Sequence, residues 1–442
     1  MKRTLLISMT ALSLLSALAT AQPPVASDAS LHHTTRYHIA DVGTLPGGTF
    51  SLATYVNNNG LVTGLSTVAD GTQHAFLWYN GQFMDIAKPG LKGKNSGAFA
   101  VNAIGQVLVQ AENSTKDPNG ENFCGYGTGL TCLPAIWQNG VMTPLPLLGG
   151  VNGTVGDVIT NRGEAAGIAE NSTRDPECPL TPALNGTGPQ VLDFEAVIWG
   201  PGPGQIRELP PLPGDTVGMA LWINDHGQAV GSSGRCANTT LPGFAGGPHA
   251  LLWEKDGSVH DLGNLGGTVN PAVPGVANVG FVINNQGQVT GVSALPGNTT
   301  TRAFLWTREQ GMQNLGTLPG DTSSSGLGMN DRGDVVGGSS DTTGNTRAFL
   351  WQNGVMHDLN TLIVGNSPFL QLLVAFGIND AEQIVGIGLT STGDVHGFLA
   401  TPGNGADADE SFSPASQSVT GPMVLPENVR KLLRGRLGIR GR

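Results

Sequence analysis

Short apolar runs separated by turn residues recur along the chain. One run ends in tryptophan, as in RAFLW at 302–306 and again at 347–351. Two others flank an Asn-x-x-Gly turn, as in SSGLGMN at 324–330 and DVVGGS at 334–339. Because runs of this length bounded by turn residues are typical of β-strands, the pattern predicts an all-β fold.

The runs recur in a constant order, which divides the chain into seven units. The tryptophan run occurs as QHAFLW (73–78), LPAIW (133–137), EAVIW (195–199), HALLW (249–253), RAFLW (302–306), RAFLW (347–351) and, without Trp, HGFLA (396–400). The turn motif precedes it as VNNNGLVTG (56–64), VNAIGQVLV (101–109), ITNRGEAAG (159–167), INDHGQAVG (223–231), INNQGQVTG (283–291), MNDRGDVVG (329–337) and INDAEQIVG (378–386). A fourth run follows most copies, as in VMHDLNTL at 355–362. Repeated four-stranded units are the signature of propeller blades.

The two ends of the array predict that the ring is closed. The last unit stops after its third strand, at 397–403, and an orphan fourth strand, YHIADVGTLPGG, stands at 37–48. Pairing the two would remove two exposed sheet edges, whereas a linear solenoid would need a cap at each end. The expected fold is a seven-bladed β-propeller of four-stranded antiparallel blades over residues 37–402. An open β-solenoid and a chain of sandwiches are the less favoured alternatives.

The composite motif also resembles a known family. Asp-Leu-Gly-rich fourth strands, Ile-Asn-x-x-Gly turns and the triplet His74-Ala75-Phe76 are similar to the HAF family of probable extracellular repeat proteins. The similarity covers about residues 37–400 and is weakest in the second and third units, where Pro134-Ala135-Ile136 and Ala196-Val197-Ile198 replace the Ala-Phe-Leu of other copies. The resemblance implies export and repetition. It implies no reaction and no catalytic residues.

The segments outside the repeats predict export. A basic start, an apolar stretch over 5–18 and the small residues Ala19-Thr20-Ala21 form a signal peptide, 1–21, rather than a membrane span. A linker, 22–36, then leads to the propeller, and a second linker, 403–424, leads to a basic amphipathic tail, 425–442. The predicted location is extracellular, periplasmic or at the cell surface.

Composition and charge narrow the range of functions. The 66 Gly and 28 Pro exclude a fold of long helices. Residues 37–402 hold 13 Lys and Arg against 28 Asp and Glu, a net charge of −15, which disfavours nucleic acid as a partner. Six basic residues are concentrated in the tail instead: Arg430, Lys431, Arg434, Arg436, Arg440 and Arg442. That tail is predicted either to contact an anionic surface, which includes the acidic propeller itself, or to be a frayed end.

The four cysteines fit an exported protein. Four cysteines allow three pairings, and they include no Cys-x-x-Cys pair that would indicate structural zinc. Cys124 and Cys132 lie eight residues apart in one insertion, so a local disulfide is expected there. Cys178 and Cys236 would then tie the third blade to the fourth.

Loop length separates the two faces of the predicted propeller. The Asn-x-x-Gly turns share one face with the turns that follow the tryptophans, whereas the long insertions 111–133, 169–194 and 232–248 share the other with the connections between blades. The candidate ligand-binding residues assigned to this long-loop face are Glu112, Asp117, Glu121, Asp175, Glu177, Asp215, Asp321 and Trp222. For Asp215 and Asp321 turn capping is the favoured role, and for Trp222 gap filling is favoured over lining the channel. No cofactor or metal site is predicted, because no calcium-loop motif occurs.

The repeated residues are expected to be structural, and no motif of catalysis is present. The tryptophans hold one position in successive units and should pack between blades, while the Asn side chains should cap their own turns. Motifs of serine hydrolases, zinc proteases, P-loops and dinucleotide folds are missing from the sequence. The favoured function is therefore a secreted, monomeric, non-enzymatic binding or cell-envelope interaction module with a protein or glycan ligand. The alternatives are an extracellular polysaccharide hydrolase or lyase that uses the long-loop carboxylates, and a purely structural surface repeat.

Overall fold

The strands succeed one another as the repeat predicts. The computed structural model describes residues 35–88, 90–178, 189–238, 247–267, 278–403 and Leu425. The first strand is β1 (Tyr37–Gly43). Blade 1 then contains β2 (Ser51–Val56), β3 (Val62–Thr67), β4 (Gln73–Tyr79) and β5 (Gln82–Asp85). Blade 2 contains β6 (Lys92–Val101), β7 (Val107–Lys116), β8 (Leu130–Gln138) and β9 (Val141–Pro144). Blade 3 contains β10 (Gly149–Ile159), β11 (Ala165–Arg174), β12 (Leu192–Trp199) and β13 (Ile206–Leu209).

The remaining four blades continue this order. Blade 4 contains β14 (Val217–Ile223), β15 (Ala229–Gly234), β16 (His249–Trp253) and β17 (Val259–Asp261). Blade 5 contains β18 (Val279–Ile283), β19 (Val289–Ala294), β20 (Thr301–Thr307) and β21 (Gly311–Asn314). Blade 6 contains β22 (Ser323–Met329), β23 (Val335–Ser340), β24 (Thr346–Gln352) and β25 (Val355–Asp358). Blade 7 contains β26 (Phe369–Ile378), β27 (Ile384–Thr390) and β28 (Val395–Pro402). Each blade is a four-stranded antiparallel sheet.

The N-terminal strand closes the ring, as the sequence predicts. β1 is the fourth strand of blade 7 and pairs antiparallel with β28, so that Tyr37 faces Pro402 and Gly43 faces Gly397. The inner strands β2 and β26 are also in contact, as are the inner strands of the other neighbouring blades. The fold is therefore a closed seven-bladed β-propeller.

The tryptophans pack between blades, as expected. Trp199 is fully buried against Ala100 and Leu108 of blade 2, and its indole donates a hydrogen bond of 2.8 Å to the carbonyl of Pro146. Trp253 makes the equivalent bond, at 2.7 Å, to the carbonyl of Pro210. Burying an aromatic ring of this size is a major source of cohesion between blades.

The fourth strand of blade 6 is shorter than the sequence predicts. The fourth strand of blade 6, expected over 355–362, ends at Asp358, because that side chain accepts from the amide of Asn360 and begins a 3₁₀ turn over Leu359–Leu362.

The predicted signal peptide and nearly all of the two predicted linkers and the basic tail lie outside the described residues. Leu425 alone of the tail is described: it is buried in an apolar cluster, and its amide donates to the Asn345 side chain at 3.1 Å. Among the described residues no helix is long and apolar enough to cross a membrane.

Candidate functional site

A bowl lies at the centre of the face that carries the seven Asn-x-x-Gly turns, which we call the turn face. It is a cavity of about 200 Å³, and every blade contributes the end of its inner strand and the start of its turn to the wall. Concave sites of this kind are the usual places for small ligands. The bowl is therefore the candidate site that the geometry of the described residues favours.

The turn asparagines join neighbouring blades into a belt around the bowl. The side-chain oxygen of Asn224 accepts from the amides of His226 and Gln228, as predicted for a turn cap. Its side-chain nitrogen donates to the carbonyl of Asn284 in the next blade at 3.0 Å. Five other boundaries carry the same inter-blade bond, donated by Asn57, Asn102, Asn284, Asn330 and Asn379. Thr160 has no amide to donate, so the boundary between blades 3 and 4 lacks this bond.

A second ring, formed by the residue after each belt position, carries the charge of the rim. Its members in blade order are Asn58, Ala103, Asn161, Asp225, Asn285, Asp331 and Asp380. The amide of Asp331 donates to the carboxylate of Asp380 at 3.0 Å, and the amide of Asp380 donates to Asn58 at 3.0 Å. These bonds fix the side chains around the mouth of the bowl. Asn and Asp therefore serve equally as acceptors here, but only Asp adds charge.

Two aromatic side chains from distant blades form the floor of the bowl. Tyr55 of blade 1 and Trp222 of blade 4 lie two residues before their turn positions, and their ring centroids are 6.0 Å apart at 46°. Both follow a shift in strand register, between Ala53 and Tyr55 and between Ala220 and Trp222. A bulge of this type re-aims the side chain that follows it.

Trp222 thus lies at the turn face and not with the long-loop residues. The sequence favours gap filling for this side chain, and it does pack against apolar residues of three clusters. It lines the central channel as well.

The bowl is strongly negative. Its lining includes Asp225, Asp331 and Asp380 and contains no Lys, Arg or His among the described residues. Arg332, next to Asp331, is outside the bowl lining and forms ion pairs with Asp334 and Glu382 at 3.2 and 2.8 Å. Its guanidinium also donates to the backbone carbonyl of Asp380 at 2.7 Å, so one cationic group contacts the outside of the rim. A concave site lined by one sign of charge concentrates counter-ions.

The negative potential extends to the floor. Burial, and then the charges of Asp380, Asp225 and Asp331, raise the pKa of Tyr55 to about 12. The phenol therefore keeps its proton at neutral pH. Its hydroxyl has no hydrogen-bond partner among the described residues, so it is free to donate to a ligand.

The opposite face, which carries the long insertions and is called here the loop face, buries its carboxylates. Asp117 and Glu121 are 3% and 1% exposed, and they converge with Glu170, which is 0% exposed. Asn152 donates from its side chain to Asp117 at 2.8 Å and to Glu170 at 2.9 Å, and the amide of Val191 donates to Glu121 at 2.6 Å. Burial, and then the charge of Glu121, hold the pKa of Glu170 well above its usual value. One Glu170 oxygen, Oε1, has no partner.

Glu112 is buried beside this network and has a structural role. It is 1% exposed, accepts from the Asn95 side chain at 2.8 Å and bonds to the hydroxyl of Thr128. Glu112, Asp117 and Glu121 thus lie on one side of the loop face with their oxygens engaged in hydrogen bonds.

The other loop-face candidates are separate from that network. Asp175 accepts from Thr216 at 3.0 Å, and Glu177 pairs with Arg235. Both flank the disulfide between Cys178 and Cys236, which joins blade 3 to blade 4; the second disulfide joins Cys124 and Cys132. Both disulfides are the expected ones.

Asp215 and Asp321 each pair with a residue at the start of the third strand of their own blade. Asp215 contacts His249 at 2.8 Å, and Asp321 contacts Arg347 at 3.0 Å. The eight residues predicted from the sequence therefore do not form one site, and whether any of them binds a ligand stays a prediction.

Comparison with known proteins finds distant likenesses to solved structures. No protein-family model and no curated protein matches the chain, so the HAF resemblance stays a prediction. Among solved structures, the β-propeller domain of the Trilobed protease from Pyrococcus furiosus is 10% identical, with 83% of this chain and 93% of that chain covered and a TM-score of 0.43. A gluconolactonase from Xanthomonas campestris is 11% identical over 84% and 91%, with a TM-score of 0.37. The Aleuria aurantia lectin, in complex with α-methyl-L-fucoside, is 10% identical over 84% and 96%, with a TM-score of 0.33.

These likenesses concern the fold alone. The chain is an all-β protein of the seven-bladed propeller class, and its two disulfides fit an extracellular protein. Its function has to be argued from its own residues.

Proposed function

We propose that this protein is a secreted, non-enzymatic binding module whose ligand occupies the central bowl of the turn face. The observation that carries the proposal is the floor: Tyr55 and Trp222 meet across the channel and give the cavity an aromatic base beneath a polar rim. A largely preformed concavity with an aromatic surface and a few fixed polar groups is the common design of small-ligand sites.

The loop face supports the binding module over a polysaccharide hydrolase. Two catalytic carboxyl groups would have to reach a substrate from solvent. Glu112, Asp117 and Glu121 are at most 3% exposed, and their oxygens accept bonds from protein donors. Such a network favours a structural role that holds the insertions in place.

The test is a screen of glycans and small molecules by thermal shift and ligand-detected NMR with the purified secreted protein. Ligands of the bowl should lose binding in Trp222→Ala and in Tyr55→Ala. The matched control is Tyr79→Ala, because Tyr79 is an exposed aromatic residue outside the bowl lining. Each variant is first checked for native unfolding behaviour, since Trp222 also packs against the core.

Two results would contradict the proposal. A ligand that binds the floor variants and the wild type equally would lie elsewhere. Turnover of a polysaccharide that is abolished by Glu121→Gln, but not by the floor variants, would favour the enzyme.

A further inference from the structure

We propose that the ligand of the bowl is an organic cation, with a methylated ammonium group seated between the aromatic floor and the ring of carboxylates. This inference rests on the proposed function and adds the chemical class of the ligand. It depends on the charge, the size and the aromatic surfaces of the bowl.

Charge is the first step of the argument. Asp225, Asp331 and Asp380 contribute three carboxylates to a lining that has no cationic side chain among the described residues. Their charges reach the floor, since they act on the ionisation of Tyr55. Such a bowl repels an anion, and a neutral ligand does not compensate the negative charge. A cation is attracted electrostatically by all three carboxylates.

The carboxylates are available to a ligand. Asp225 and Asp380 are exposed, and none of the three forms an ion pair with a described residue. Their protein partners are backbone and side-chain amides, such as the Asn58 side chain, which donates to Asp380 at 2.8 Å. Hydrogen bonds of this kind position a carboxylate without neutralising it.

The floor favours an organic cation over a bare metal ion. A metal ion would need oxygen ligands that converge on one point, whereas the carboxylates are spread around a rim. The rings of Trp222 and Tyr55 lie 6.0 Å apart and line the same cavity. Aromatic rings attract an ammonium group and bury its methyl groups. A cavity of about 200 Å³ accommodates a small quaternary ammonium compound.

Choline and its neutral isostere 3,3-dimethylbutan-1-ol provide the direct test. The two molecules have the same shape and differ in charge. We expect choline to bind about tenfold more tightly at low salt, as followed by calorimetry, and we expect this preference to shrink at high salt.

The matched variant is the triple substitution Asp225→Asn, Asp331→Asn and Asp380→Asn. Asn already occupies this ring position as Asn58, Asn161 and Asn285, so the substitution removes charge while retaining an acceptor. It should weaken choline binding about tenfold and leave the neutral isostere within about twofold. Asp256→Asn serves as the control, because Asp256 is an exposed turn carboxylate outside the bowl lining.

The outcomes separate this inference from the proposed function. Equal binding of choline and its isostere, both lost in Trp222→Ala, would overturn the cation while leaving the bowl as the site. A choline preference that persists in the triple variant and in Trp222→Ala would place the binding outside the bowl and overturn both. Failure of choline to bind at millimolar concentrations would overturn the cation, and the ligand screen would then judge the bowl alone.

Discussion

The two faces of this propeller carry acidic residues in opposite ways. At the turn face, Asp225, Asp331 and Asp380 stand on short turns of constant length, around an open bowl. At the loop face, Asp117, Glu121 and Glu170 are buried among long insertions and are held by amide donors. Charge that is kept in water around a cavity can act on a ligand, whereas buried charge mainly fixes the structure around it.

The means of holding the blades together also differ between the faces. The turn face relies on a repeated hydrogen bond from one asparagine to the next, and this bond is missing after Thr160. The loop face has covalent links, and the Cys178–Cys236 disulfide spans the boundary between the same two blades. The boundary that lacks a link on one face therefore has the strongest link on the other. The turn face forms a rim of short turns of constant length, and the loop face carries the additional covalent stabilisation.

Loss of the inter-blade disulfide should have the largest effect on stability, and it tests whether the loop face stabilises the fold independently of the bowl at the turn face. Replacing Cys178 and Cys236 by Ser opens a 58-residue loop and should lower the free energy of unfolding by about 4 kcal/mol, against about 2 to 3 kcal/mol for Cys124 and Cys132, which are 8 residues apart. Urea denaturation measures both. Ligand affinity at the bowl should stay within about threefold, because the faces lie at opposite ends of the inner strands. A larger loss of affinity would show that the loop face shapes the bowl.

The difference between the faces also explains what the sequence could predict. The blades and the closure of the ring by Tyr37–Gly43 could be predicted from the sequence. Each copy of the repeat shows its own strands, and the N-terminal segment supplies the fourth strand that the last copy lacks. The disulfides followed from spacing and from the order of the insertions. The blades, the ring closure and the disulfides could be predicted because they depend on residues that are close together in the sequence or that recur at aligned positions of the repeat.

The bowl was not accessible in the same way. Asn224 has a complete local explanation as a turn cap, and its bond to Asn284 exists only because the ring places the next turn beside it. The available signal was the alternation of Asn and Asp at the next aligned position, seen in Asp225, Asn285 and Asp331. Likewise, His74 and Asp85 look unrelated in the sequence but pair at 2.9 Å across neighbouring strands, as His396 and Asp41 do at 3.0 Å across the closure.

A smaller effect concerns the pH dependence of the loop face. Because burial and Glu121 raise the pKa of Glu170 in the folded protein, the folded state holds a proton that the unfolded state releases above its lower pKa. Stability from this group is complete below about pH 4.5, the unfolded value, and is lost as pH rises toward the folded value. Glu170→Gln should remove that dependence and stabilise the protein at pH 9 by on the order of 2 kcal/mol relative to wild type.

Unfolding midpoints recorded from pH 5 to about pH 9 measure the effect. The control is Glu309→Gln, since Glu309 is exposed on a turn. A course for Glu170→Gln that runs parallel to the wild type over this range would contradict a raised pKa of Glu170 in the folded protein.

The smallest expected effect is a gain in the free energy of unfolding when the missing belt bond is added between blades 3 and 4. Thr160→Asn gives blade 3 the side-chain amide that six other blades have, positioned to donate to the carbonyl of Asn224. A net hydrogen bond of this kind should raise the free energy of unfolding by about 0.5 to 1 kcal/mol. The control is Thr160→Ser, which keeps the hydroxyl that accepts from Glu164 at 3.1 Å and adds no amide. Because the disulfide acts at the opposite face, the gain should be the same with and without Cys178 and Cys236. If Thr160→Asn raises the free energy of unfolding only in the disulfide-free protein, the hydrogen bond and the disulfide stabilise this boundary interdependently. If it raises the free energy of unfolding in neither background, the asparagine belt is a by-product of turn capping and does not link the blades.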